Sequence, residues 1–134
     1  MAKLAIVEGI GPVYAAKLAE AGITTTTGLL KKGATPKGRD ELAQSTSISH
    51  TLILEWVNHC DLFRIKGVGE EFADLLEEAG VDTVPELAQR NPDNLYAKMV
   101  QTNETKELVR RLPSAAQVAD WVAEAKTLKR VINY

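Results

Sequence analysis

Residues 9–23 read GIGPVYAAKLAEAGI and residues 67–81 read GVGEEFADLLEEAGV, and these two stretches decide the fold. They align without a gap at an offset of 58 residues, from position 9 to position 67. Both glycines of the opening triplet recur, as do an alanine, a leucine and the closing Ala-Gly pair. A repeat of this density predicts two copies of one supersecondary unit.

Each copy predicts a tight turn that leads directly into a helix. The glycines of the opening triplet suit conformations that are closed to other residues, and the apolar middle residue, Ile10 or Val68, is expected in the core. Pro12 suits the first position of a helix, where its missing N–H costs nothing. Gly22 and Gly80 are predicted to end the helices in left-handed caps.

A second helix is predicted in each copy, with caps of unequal strength. Residues 83–86, Thr-Val-Pro-Glu, match a capping box, in which the threonine and glutamate side chains satisfy free N–H groups. The first copy has Thr25 in the threonine position but Gly28 where Glu86 stands, so its cap is expected to be weaker.

No stretch alternates as a strand does, so the predicted fold class is all-α: two tandem units packed into one compact helical protein. The units are assigned to residues 1–64 and 65–134, with the 49–64 helix shared between them. Trp56 and Trp121 are expected to be buried anchors at equivalent places. The remaining helices are predicted at 36–45, 49–64, 92–101, 104–111 and 114–128.

Composition excludes several classes of protein. The chain has 134 residues, of which 45% are hydrophobic, so a core can form. The net charge of −2 lacks the basic excess common in nucleic-acid binders. With one cysteine, Cys60, neither a disulfide framework nor a cysteine zinc site can form. The N-terminus does not match a signal peptide and no stretch approaches the roughly 20 apolar residues of a membrane span, so a cytoplasmic location is expected.

The pattern Gly-apolar-Gly-x-x-x-Ala-x-x-Leu, present at Gly9 and again at Gly67, resembles the helix-hairpin-helix motif. From Ile6 to Leu128 the chain is similar to a bacterial and archaeal family catalogued as a domain of unknown function with tandem helix-hairpin-helix units. Stretches that carry the resemblance include 65–99, IKGVGEEFADLLEEAGVDTVPELAQRNPDNLYAKM, and 38–65, GRDELAQSTSISHTLILEWVNHCDLFRI. The resemblance implies a compact all-α fold and assigns no activity.

In helix-hairpin-helix proteins the N–H groups of the turn bind a nucleic-acid phosphate, so the motif implies sequence-independent backbone binding. Charge favours the first hairpin, because the stretch 29–39, LLKKGATPKGR, has four bases and no acid. The second hairpin, Gly67, Val68 and Gly69, is expected to be structural, since seven acids and no base lie between Glu70 and Glu86. For the first hairpin a purely structural role stays equally open. The candidate nucleic-acid-binding residues are Gly9, Ile10, Gly11, Lys17, Lys31, Lys32, Lys37 and Arg39.

Residues 39–58 also resemble a helix-turn-helix, although that pattern prefers glycine where Ser47 stands. The segment that would read bases begins Ser49-His50-Thr51 and offers no Arg or Lys, so packing against the first hairpin is the favoured interpretation. Catalytic patterns are weak: His50 and His59 lack metal-ligand spacing, and Cys60 fits a core position better than a nucleophile.

Two hypotheses from different classes remain. The first is a non-catalytic module that binds DNA or RNA through phosphates, with no cofactor, no metal and no catalytic residue. The second is a protein-interaction or scaffold module whose docking face is the acidic 70–86 surface. The sequence indicates no membrane partner and gives no oligomeric state.

Overall fold

The computed structural model describes residues 3–134, and within them every regular element is helical. A single 3₁₀ turn at Leu4–Ile6 precedes eight α-helices, and no strand is present in the described range beyond one isolated bridge between Lys3 and Thr25. The all-α prediction is therefore confirmed. The helices are α1 Pro12–Glu20, α2 Thr26–Lys32, α3 Pro36–Thr46, α4 His50–Leu62, α5 Glu70–Glu78, α6 Val84–Ala88, α7 Pro92–Lys106 and α8 Ala115–Ala125.

The chain folds as two compact units. The first unit runs up to Asp61 and includes the last four residues, Val131–Tyr134, and the second unit is Leu62–Arg130. In the first unit α3 packs against both α1 and α2. In the second unit α8 packs against α6 and α7, and α7 also contacts α5.

The same backbone hydrogen bonds recur in both units at the 58-residue offset. Ile10 N donates to Val7 O, and Val68 N donates to Ile65 O, both at 3.1 Å. At the far end of each following helix, the N–H of Ile23 or Val81 reaches back five residues to a leucine carbonyl. The sequence repeat is thus accompanied by a repeat of local backbone geometry.

The predicted left-handed glycines adopt that conformation. Gly22 and Gly80 end α1 and α5 with φ of 86° and 98°. The first glycine of each opening triplet is left-handed as well, with φ of 93° at Gly9 and 87° at Gly67. A side chain at any of these four positions would be strained.

Each unit has an aliphatic core with one tryptophan in it. Trp56 is 2% exposed and Trp121 is 3% exposed, which confirms that both are buried. Each indole packs at a tilt on an aromatic ring of the helix after the glycine turn: Tyr14 on Trp56 with centroids 5.1 Å apart, and Phe72 on Trp121 at 5.3 Å. The two tryptophans therefore occupy equivalent places.

The prediction of a separate helix at 104–111 is wrong. Helix α7 continues to Lys106, because the sequence between 101 and 104 holds no glycine or proline to interrupt it. Glu107 then turns left-handed with φ 49°. The Asn103 side chain accepts from Val109 N and donates to Val109 O, and these bonds hold the following segment in a loop.

The prediction that the first copy has the weaker helix cap is also wrong. In the first unit Thr25 Oγ1 accepts from Gly28 N at 3.0 Å and caps α2. In the second unit Thr83 is 4% exposed and makes no side-chain capping bond, and Glu86 accepts from Asp82 N instead. The stronger side-chain cap is therefore in the first unit, although the second unit has the sequence of a capping box.

The last four residues complete the first unit. Ile132 is 2% exposed, Asn133 N donates to Ala34 O at 2.7 Å, and Tyr134 Oη donates to Asn58 at 2.9 Å. The guanidinium of Arg39 donates to Asn133 O at 2.8 Å. This C-terminal tail, Val131–Tyr134, returns to a core that begins more than a hundred residues earlier.

Candidate functional site

We call residues 9–11 the first glycine turn and residues 67–69 the second glycine turn. At the first, Gly9 and Gly11 are exposed and Ile10 is buried, as the sequence predicts for an apolar anchor. Gly11 is the N-cap of α1, and Ala15 N is the first to donate within the helix, to Gly11 O. Pro12 has no N–H to offer.

Three backbone N–H groups therefore remain open at the first glycine turn. Those of Gly11, Val13 and Tyr14 donate to no group in the described part of the chain. No acidic residue lies in the first turn of α1. Free amides and the positive end of the helix dipole favour an anion at this place.

Unlike Gly9, Gly11 is not required to be glycine by its backbone conformation. Its backbone, φ −88° and ψ −174°, is open to any residue, and a Cβ there would meet nothing within 4 Å. Gly69 is the same in both respects. The folded chain thus requires glycine at neither position, whereas a ligand lying against the backbone would.

The second glycine turn has the same free amides, but acidic side chains beside it would repel an anion. Ala73 N is the first donor inside α5, so the amides of its first turn are also open. Glu70 and Glu71 lie in that turn. In addition, the Glu124 carboxylate accepts from Lys66 N at 3.1 Å, so an acid of this unit already occupies an amide at the entry to the turn.

Three of the predicted lysines come together in one cleft of about 450 Å³. Lys31 and Lys32 end α2, and Lys37 begins α3. All three are exposed, but Lys32 is paired with Glu41 at 3.2 Å. Lys31 and Lys37 are therefore the two lysines of the cleft with no acidic partner among the described residues.

The lysine cleft lies at the opposite end of α1 from the first glycine turn. Ile23, just after α1, lines the lysine cleft, and Ala21 lines an adjoining cleft together with Lys32. Helix α1 has nine residues and is about 13 Å long. Lys17 lies between the two ends, half-buried on the helix. The sequence grouped these bases into one patch, but the structure separates the cleft from the turn.

Arg39 is a correction to the predicted site. It is 2% exposed, and its guanidinium donates to Gly33 O and Asn133 O, both at 2.8 Å. The ring of Tyr134 covers it at 5.8 Å. A ligand outside the protein cannot reach this side chain, and Arg39 instead holds the tail in place.

Cys60 and His50 are two residues that the sequence analysis considered for catalysis. Cys60 is buried as predicted, and this burial, with Asp61 beside it, raises the pKa of the Cys60 thiol to about 12. His50 Nε2 lies 3.1 Å from Asp40 on the surface. Residues 3–134 contain no group of three His, Cys, Asp or Glu side chains that could hold a metal ion.

The segment that resembles a helix-turn-helix does adopt two helices, α3 and α4, with Ser47 between them in the left-handed conformation at φ 58°. Ser47 thus takes the conformation for which that pattern prefers glycine. From Trp56 to Leu62, however, α4 is buried at all but one position, which is half-buried. The exposed positions of α4 are His50, Thr51 and Glu55, and none of them is Arg or Lys.

Comparison with known families identifies a match over most of the chain. The family described as "Domain of unknown function (DUF4332)" matches residues 8–128. No curated protein and no solved structure matches the chain significantly. Within residues 3–134 no helix has the length and apolar character needed to cross a membrane.

Proposed function

The chain belongs to the DUF4332 family of unknown function, and from the geometry of its first glycine turn we propose that it is a non-catalytic module that binds the backbone of DNA or RNA. In this proposal each unit is a helix-hairpin-helix. The first unit contacts phosphates and the second serves as a structural copy. Contacts of this kind carry no sequence information.

The observation that carries the proposal is the difference in charge between two turns of the same geometry. A phosphate at the first turn would meet the amides of Gly11, Val13 and Tyr14 with no acid in the first turn of α1. Glu8 lies just before this glycine turn, where the second unit has Lys66. At the second turn it would meet Glu70 and Glu71, each repelling it by about 1 kcal/mol at an intermediate dielectric. That repulsion matches or exceeds the roughly 0.3–1 kcal/mol that a helix terminus offers an anion.

The position of the lysine cleft favours a polymeric ligand over a small anion. The first glycine turn and the cleft lie at the two ends of α1, about 13 Å apart along its axis. One strand of a duplex rises about 3.4 Å per nucleotide along the duplex axis, so a strand that reaches both ends must span more than one phosphate. A single phosphate could occupy one end only.

The test is a binding titration of labelled single-stranded, duplex and branched DNA and of RNA, each at about 50 mM and about 200 mM salt. Lys31→Glu with Lys37→Glu should weaken binding at least tenfold and reduce the dependence of log K on log salt by about two units. Lys98→Glu with Lys126→Glu makes the same change of charge at exposed positions of the second unit. This control pair should have a much smaller effect.

A third variant addresses the second turn. Glu70→Gln with Glu71→Gln should leave binding unchanged or strengthen it, because these acids repel phosphate. If both lysine pairs weaken binding equally, the contact is not in the first unit. If the unaltered protein binds no nucleic acid at low salt, the proposal fails and docking of a protein on the acidic 70–86 surface becomes the better hypothesis.

A further inference from the structure

The indole nitrogen of Trp56 lies against the first glycine turn. A Cβ at Gly9 would be 3.1 Å from Trp56 Nε1, so the N–H edge of the ring faces the exposed glycine. The tilted contact with Tyr14, centroids 5.1 Å apart, fixes the plane of the ring. Since Tyr14 is also in the first turn of α1, the indole and the open amides belong to one rigid arrangement.

This donor has no partner within the described chain. Trp56 is 2% exposed, yet its indole N–H takes part in none of the hydrogen bonds of residues 3–134. Buried tryptophans usually bond this group to a protein partner. Trp56 Nε1 is not among the fully buried polar side-chain atoms that lack a partner, so its N–H edge reaches solvent at the turn. A donor kept open beside a turn of open amides is suited to an acceptor that comes from outside the protein.

We infer that the Trp56 indole N–H is a further phosphate donor at the first glycine turn, acting together with the amides that follow Gly11. The inference rests on the proposed function and adds a side chain to a contact otherwise made by the backbone. The ligand it would take is a phosphate oxygen of a nucleic-acid strand. Because the ring is enclosed on its other sides, this donor needs no reordering when the ligand arrives.

Trp121 provides a matched comparison inside the same molecule. Its Nε1 lies 3.5 Å from a Cβ placed at Gly67, and Phe72 holds its ring as Tyr14 holds that of Trp56. Glu70 and Glu71 lie in the first turn of α5, and Glu124 accepts from Lys66 N at the entry to the second turn. Trp121 should therefore receive no phosphate.

The test is a nuclear magnetic resonance titration of the ¹⁵N-labelled full chain, which has two indole N–H signals because it has two tryptophans. The signals are assigned with Trp56→Phe or Trp121→Phe, and one folded variant suffices. A short single-stranded DNA of mixed sequence should shift the Trp56 signal saturably and leave the Trp121 signal in place. The shift should diminish as salt rises. Saturable binding with an unmoved Trp56 signal would overturn the inference while leaving the proposed function standing.

Inorganic phosphate as a second probe separates the two proposals. A saturable shift of Trp56 by phosphate, without any DNA or RNA binding, supports the donor and contradicts the proposed function. If neither probe shifts the signal, the inference is wrong, and the proposed function then stands or falls on whether DNA or RNA binds at all. Where both variants fold, Trp56→Phe should weaken DNA binding about tenfold, equal to about 1.4 kcal/mol, because bonds to charged acceptors are among the stronger ones. Trp121→Phe should leave the Kd unchanged.

Discussion

Replacing Gly11 by alanine tests whether the second glycine of the first turn serves the fold or a ligand. The added Cβ would meet nothing within 4 Å in the folded chain, and the backbone at φ −88° accepts any residue. The fold should therefore tolerate the change. Its cost should be about 1 kcal/mol or less, since alanine is a poorer N-cap than glycine.

Binding should respond much more strongly. The methyl group would stand where a phosphate approaches the open amides of Gly11 and Val13. Hydrogen bonds to a charged group are worth about 1.5–3 kcal/mol each, so the loss of one weakens binding at least about tenfold. Gly69→Ala is the matched control, because Gly69 has the same open space and a similar backbone conformation.

The assays are urea unfolding and the titration with labelled nucleic acid, applied to both variants. We expect both to lose the same small stability and only Gly11→Ala to lose binding. If Gly11→Ala binds as tightly as the unaltered chain, phosphate does not approach at this glycine and the reasoning from open space is refuted. Equal losses of binding in the two variants would show that charge does not distinguish the turns.

Two further predictions concern stability. Gly38→Ala places a Cβ onto the carbonyl oxygen of Lys32, a backbone atom that cannot turn aside. Urea unfolding should therefore show a loss of stability of about 2 kcal/mol or more, despite the better helix propensity of alanine. An unchanged unfolding midpoint would contradict the close packing of α2 on α3. The thiol of Cys60 keeps its proton up to about pH 12 in the folded chain but loses it from about pH 9 in the unfolded chain. Between these two pH values, the free energy of unfolding should therefore fall with rising pH. The fall should be steeper than in Cys60→Ala by about 1.4 kcal/mol per pH unit. Parallel pH curves for the two proteins would show that the thiol is not desolvated.

The elements that local chemistry determines were predictable from the sequence. Gly22 and Gly80 end their helices because only glycine takes a left-handed cap without strain. The burial of Trp56 and Trp121 followed from the repeat and from apolar spacing. The end of α7 was missed, because Asn103 stops the helix through paired bonds to Val109 and no breaker residue marks the place.

The site was less predictable, because side chains near one another in sequence can face opposite ways. Lys37 and Arg39 are two residues apart on α3, and positions so spaced do not share a helix face. Arg39 does share a face with Leu42 and Thr46, which are both buried. That spacing was a signal available in the sequence. The partner of Arg39, Asn133, was not predictable, since no local rule links residues so far apart.

The return of the C-terminal tail to the first unit has a consequence for biosynthesis. Because Val131–Tyr134 belongs with the residues up to Asp61, the second unit is inserted within the first. A ribosome releases the whole of Leu62–Arg130 before it delivers Ile132 and the Asn133 carbonyl on which Arg39 closes. The unit that is synthesised first is therefore the last to be completed. Until the tail emerges, the Arg39 cation lacks one of its two carbonyl acceptors, and the nascent first unit is held in an unfinished state for the time it takes to translate the second.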